Sequence, residues 1–82
     1  MTPEEVAEYN EDALLAEGFE EALIGVAERI NLGPVAAYDV EKMLEILMKR
    51  DGMEYDEALE YFEFNIKGAW MGEFTPVYIY TE

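Results

Sequence analysis

The chain has 82 residues, 51% of them apolar and 13% aromatic, with 20 Asp and Glu against 5 Lys and Arg and a formal net charge of −15. This is the size of one domain with ample material for a core, and disorder of the whole chain is not expected, because disorder needs low hydrophobicity as well as high charge. Phosphate backbones are held by Lys and Arg that displace counterions, so five scattered cations in so negative a field argue against direct nucleic-acid binding and against an anionic membrane surface.

Residues 1–17 read as an acidic N-terminal helix or arm. Thr2 is placed to cap it, Pro3 suits the first helical position, and Glu4 and Glu5 favour the positive end of the helix dipole. Val6, Tyr9, Ala13 and Leu14 recur at helical spacing over 3–16, a thin stripe. Every charged residue from Met1 to Glu21 is an acid, so an arm that orders only on a partner is the alternative. Glu17-Gly18 breaks the pattern and opens a single α+β domain over 18–82.

Within that domain, Ala22–Ala27 and Val35–Tyr38 are short apolar runs around an Ile30-Asn31-Leu32-Gly33-Pro34 turn, which predicts a β-hairpin. A helix over 19–31 competes, since Leu23, Val26, Ala27 and Ile30 also fit a 3.6-residue period. Asp39 is the expected N-cap of a helix from Val40 to Arg50, whose apolar stripe is Val40, Met43, Leu44 and Leu47 and whose end is set by Gly52. A second helix follows over about Tyr55 to Lys67, with Ala58, Phe62, Asn65, Ile66 and Ala69 on one face and Glu63 paired with Lys67. Trp70–Phe74 is a loop, and Thr75–Tyr80 a strand with Val77 and Ile79 opposite Tyr78 and Tyr80. The expected fold is α+β: a small antiparallel three-stranded sheet, made of the β-hairpin and the C-terminal strand, packed against an αα-hairpin, with the N-terminal helix added.

The blocks Gly18–Gly25, Tyr38–Met53, Glu57–Asn65, Gly68-Ala69-Trp70 and Thr75-Pro76-Val77 resemble a family of small proteins of unknown function found in bacteriophage and bacterial genomes. The resemblance implies a phage or prophage origin and, by analogy, a host-directed binder or inhibitor acting in the host cytoplasm. One departure is Glu54, which lacks the short hydroxyl of a standard capping box three residues before Glu57 and leaves the start of the second helix open.

Catalytic chemistry finds little to work with. The chain holds no His, Cys or Ser; its hydroxyls are Thr2, Thr75, Thr81 and six tyrosines. Neither a Ser–His nor a Cys–His nucleophile is available, and glycoside cleavage by paired carboxylates needs a deep cleft that so small a domain rarely provides. The missing cysteines also remove disulfides and thiolate zinc sites and fit a reducing cytoplasm. Asp51-Gly52-Met53-Glu54 lacks the alternating ligands of a calcium loop. Met1–Glu5 has neither the basic nor the apolar part of a signal peptide, and no apolar run approaches the roughly 20 residues that cross a bilayer. A non-enzymatic, cytoplasmic protein without cofactor or metal is the expectation.

Two surfaces remain as candidates. Trp70, Met71, Phe74, Tyr78 and Tyr80 would anchor a protein partner if exposed, and would simply be core if buried. Asp56, Glu57, Glu60 and Glu63, extended by Glu4, Glu8, Glu11 and Asp12, would imitate phosphates, or else form the solvated face of an amphipathic helix. Asn65, on the apolar stripe, would cap the Gly68–Trp70 loop or grip a ligand. The leading expectation is a binder that modulates a host or phage protein by direct contact, steered towards basic partners by its charge. Nucleic-acid mimicry, a structural homo-oligomer and a small-ligand sponge at a subunit interface are the alternatives.

Overall fold

The computed structural model describes residues 1–81; Glu82, the last residue of the expected domain, lies outside the described residues. Helix α1 spans Pro3–Tyr9. Its start closes reciprocally: Thr2 Oγ1 accepts from the Glu5 amide at 3.2 Å, and the Glu5 carboxylate accepts from the Thr2 amide at 2.8 Å. The helix stops at Tyr9 instead of continuing to Ala16. Asn10 takes an extended backbone, its Oδ1 accepts from the Asp12 amide at 3.0 Å, and its Nδ2 donates to the Pro34 carbonyl at 2.8 Å. A short amide side chain that satisfies neighbouring backbone groups in this way competes directly with helix continuation.

The segment that follows is held to the rest of the chain by backbone groups. Leu14 N–H donates to the Phe74 carbonyl at 3.2 Å, and Ala16 N–H donates to the Tyr38 hydroxyl at 2.8 Å. Val6 on α1 is only 2% exposed and belongs to the main core.

A short 3₁₀ turn at Glu20–Ala22 leads into strand β1, Leu23–Arg29, which pairs antiparallel with β2, Leu32–Asp39. The hairpin therefore forms, and the competing helix over 19–31 does not. Its turn is tighter than the Asn/Gly/Pro cluster suggests, because Leu32, Gly33 and Pro34 belong to β2. Asn31 adopts φ 63°, a left-handed conformation that Asn tolerates and that suits a two-residue hairpin turn. The Arg29 guanidinium clamps the turn by donating to the Gly33 carbonyl at 2.7 and 3.2 Å.

Helix α2, Val40–Asp51, starts directly from β2, its cap made by Asp39 Oδ1 accepting from the Glu41 amide at 3.0 Å. Gly52 ends it at φ 67°, where a side chain would be strained. Helix α3, Tyr55–Tyr61, begins after Glu54, whose amide donates to Glu57 Oε1 at 3.0 Å. The chain then widens into a π-helical segment, Phe62–Lys67.

Strand β3 covers only Val77–Ile79 and pairs with β2 in parallel, with Ala37 opposite Val77, Tyr38 opposite Tyr78 and Asp39 opposite Ile79. The sheet is thus mixed, in the order β1-β2-β3, and the expected all-antiparallel sheet is corrected. Period-two alternation assigns a strand its faces but carries no direction. Direction is set by the 68–76 connection, which returns to the beginning of β2. A side chain at Gly33 would lie 2.8 Å from Phe74 Cε1.

The core forms on one face of the sheet. Leu23, Ala36 and Tyr38, with the partly buried Val26 and Tyr78, meet Val40, Met43, Leu44 and Leu47 of α2, Ala58 and Phe62 of the second helical arm, and Val6 and Phe19 from the N-terminal side. Phe62 is fully buried and meets Tyr78 edge-on, ring centroids 5.4 Å apart at 90°. No helix of the described residues is long and apolar enough to cross a membrane. Replacing Phe62 with Ala is predicted to cost about 3–5 kcal/mol of unfolding free energy. Urea denaturation checks this, and a cost below about 1 kcal/mol would place Phe62 outside the core.

Candidate functional site

Two clefts lie side by side, and the π-helical segment is the ridge between them. The first is lined by Leu15, Ala16, Glu17, Phe19, Asn65, Ile66, Met71, Pro76 and Tyr78, with a volume of about 220 Å³. The second is lined by Met53, Glu57, Glu60, Tyr61, Phe64 and Asn65. Asn65 borders both.

The local backbone explains this arrangement. An α-helix continued through Lys67 would set Asn65 on the stripe begun by Ala58 and Phe62. The π-helical segment has more residues per turn, so Ile66 takes that place against the core and Asn65 rotates outward. The expectation that Asn65 lies on the buried stripe is corrected accordingly: Asn65 is exposed. Phe64 beside it is 78% exposed.

The loop after the ridge is fixed by its own hydrogen bonds. Thr75 Oγ1 accepts from the Met71 amide at 2.8 Å and donates to the Gly72 carbonyl at 2.7 Å. Gly72 sits at φ 105°, which only glycine adopts readily. Trp70 and Met71 are therefore held out on an ordered turn, 77% and 60% exposed.

The aromatic set expected from sequence is divided by the fold. Met71 and Tyr78 line the first cleft, whereas Trp70, though exposed, lines neither cleft. Phe74 turns away towards Gly33. Tyr80 is engaged elsewhere: its hydroxyl lies 3.1 Å from Lys67 Nζ and 3.4 Å from Glu63 Oε1, and Lys67 Nζ stands 5.4 Å over its ring. The hydrogen bond that Lys67 donates to Tyr80, and then the one it donates to Glu63, raises the Lys67 ammonium above its ordinary pKa.

The acidic set is divided as well. Asp56, Glu57, Glu60 and Glu63 are all exposed. Glu63 is paired with Lys67 at 3.3 Å, and Glu57 spends one oxygen on the Glu54 amide. Asp56 and Glu60 accept no bond from a described residue. The only other ion pair among the described residues is Arg50–Asp51, at 3.2 Å. No group of three or more carboxylates among the described residues is gathered as a metal site.

Leu15, Phe19, Tyr61 and Phe64 are the site residues that sequence reasoning missed. Glu57, Glu60, Tyr61 and Phe64 follow i, i+3, i+4 and i+7, a spacing that could have grouped them. Leu15 and Phe19 have no local signal, because their position depends on the Ala16–Tyr38 hydrogen bond. Comparison with known proteins returns no matching family model, curated protein or solved structure, so the functional reading rests on these two clefts and their rims.

Burial raises the Tyr78 phenol above 10.0, helped by the neighbouring Tyr38. Burial likewise raises Tyr38, opposed by the Ala16 amide and reinforced by Glu20. A phenol with a raised folded-state pKa keeps its proton longer in the native state. Its stabilising contribution is complete below the unfolded value of 10.0 and is lost as pH climbs through the folded one. Urea midpoints are predicted to decline once pH passes 10.0, and the Tyr78→Phe variant should decline less steeply than the parent chain.

Proposed function

We propose that the protein is a non-catalytic binding module that engages a basic protein partner through the face built on the π-helical ridge and the 70–76 loop. One observation carries this: Phe64, Trp70 and Met71 are 78%, 77% and 60% exposed around two adjoining clefts that share Asn65. Large apolar side chains held out on ordered backbone, next to concavities, are how interface anchors are presented. The net charge of −15 favours encounter with basic surfaces and disfavours acidic ones. The resemblance to small phage-type proteins is consistent with a partner in the host or the phage, modulated or inhibited by occupation of its surface.

Imitation of a nucleic acid has less support. Helix α3 has 7 residues and spans only about 10 Å at 1.5 Å per residue, and Glu63 is already neutralised by Lys67. Self-association through the other sheet face has less support too, since Val35 and Ala37 at its centre are already buried within one chain and Asp39 lies on that face opposite Ile79.

The test is capture of partners from a lysate of the native host by tagged protein, across a salt series. Trp70→Ala is expected to weaken capture by about 30-fold or more, the loss typical of an interface anchor. Reversal of Asp56, Glu60 and Glu63 to Lys should slow association and alter its salt dependence while a salt-resistant complex still forms. Capture that ignores Trp70 and vanishes with the acid reversals would favour mimicry. A stable oligomer without any other partner would favour an assembly role.

A further inference from the structure

The cleft between α3 and the π-helical ridge carries a more specific chemistry than the protein-binding proposal on which this inference rests. Glu57, Glu60, Tyr61 and Phe64 lie on successive turns of one helical stripe. With Met53 and Asn65 they line an open cleft of about 390 Å³. Phe64 and Tyr61 are 78% and 40% exposed, so ring surface is available to a ligand. Glu60 takes part in no ion pair among the described residues, and Glu57 keeps one carboxylate oxygen unused by the Glu54 amide.

The same combination of ring and carboxylate occurs twice more in the molecule, and each time it holds a cation. Lys67 stands 5.4 Å over Tyr80 and pairs with Glu63 at 3.3 Å. Arg50 stands 5.0 Å over Phe19 and pairs with Asp51 at 3.2 Å. In the Phe64 cleft the rings and carboxylates are present, but the chain supplies no cation. Lys67 and Arg50 are committed to those two pairs, and Arg29 is held on the Gly33 carbonyl. Lys42 and Lys49 line a different cleft with Glu21 and Glu45.

We propose that the Glu57–Glu60–Tyr61–Phe64 cleft is a guanidinium site that receives an arginine side chain of the partner protein. Charge complementarity favours a cation, and here it would come from outside the chain. Shape favours arginine, since a planar guanidinium stacks on an aromatic face while its edge donates two parallel hydrogen bonds to a carboxylate, which a compact ammonium does not do.

The experiment is titration of ¹⁵N-labelled protein with N-acetyl-arginine methylamide, its lysine counterpart and tetramethylammonium, followed by amide chemical shifts. The expected result is weak, saturable binding of the arginine probe, with shifts centred on Tyr61, Phe64 and Asn65 and smaller responses to the other two. Phe64→Ala and Glu60→Gln, both changes at exposed positions, should each weaken it by about 3–10-fold, and Phe64→Trp should retain it. Shifts spread evenly over the exposed acids, or indifferent to Phe64→Ala, would overturn the proposal in favour of diffuse counterion attraction. Tighter binding of tetramethylammonium would overturn it in favour of a quaternary-ammonium ligand. Partner capture that survives Phe64→Ala and Glu60→Gln but not Trp70→Ala would overturn this site alone. Failure to capture any protein, with the arginine probe still seated on Phe64, would leave the guanidinium site standing and overturn the protein-binding reading.

Discussion

The hydrogen bond from the Ala16 amide to the Tyr38 hydroxyl, 2.8 Å long, joins parts of the chain that nothing in their own sequences would bring together. Tyr38 lies on the central strand, 1% exposed, opposite Leu23 on one side and Tyr78 on the other. Its ring is 6.4 Å from that of Tyr78, which in turn meets Phe62 edge-on. One residue therefore connects the hairpin, the parallel strand, the second helical arm and the N-terminal segment. The apolar cleft follows from this geometry. Fixing Ala16 places Leu15 and Phe19 as one wall, and fixing Tyr78 places the other. The clefts are built directly on the core, and the 70–76 loop beside them is tied by the Thr75 hydrogen bonds to Met71 and Gly72; preorganisation of that kind lowers the entropy lost when a partner docks.

Charge acts at longer range than these contacts. With 20 acids and 5 bases, most carboxylates have no cation to meet, and the compact state bears the resulting repulsion. Three of the cations, Arg29, Arg50 and Lys67, are tied to carbonyl, ring or carboxylate partners. The molecule thus presents apolar anchors inside a field that attracts positive surfaces. For a basic partner of the kind proposed, the field would set the orientation and rate of encounter, and burial of the apolar side chains would set residence.

Much of the architecture was legible because it is written in local chemistry. Asp39 and Gly52 bracket α2 through a side-chain cap and a left-handed residue, and Thr2 with Glu5 marks the start of α1. The apolar runs around Asn31 specify the hairpin. What stayed hidden depends on distant partners. Asn10 ends α1 early by bonding to Pro34, far along the chain. The direction of β3 follows from where the 68–76 connection lands, beside Gly33, and alternation along Val77–Ile79 holds no trace of it. The π-helical segment, which moves Asn65 off the core stripe, has no composition cue of its own. Of the expected aromatic set, Met71 and Tyr78 line a cleft and Trp70 stands exposed beside Met71 in the chain. Phe74 and Tyr80 line neither cleft, because a side chain's place after a strand or loop is decided by what it packs against.

Site-specific photocrosslinking tests the central claim most directly. A benzophenone side chain at Asn65, the residue shared by both clefts, would be compared with the same group at Glu8 and at Glu28 in cells that express the protein. A discrete adduct with another protein from position 65, and none from positions 8 or 28, is the predicted result. Adducts from position 8 or 28 with none from position 65, or adducts only between copies of this chain, would contradict it.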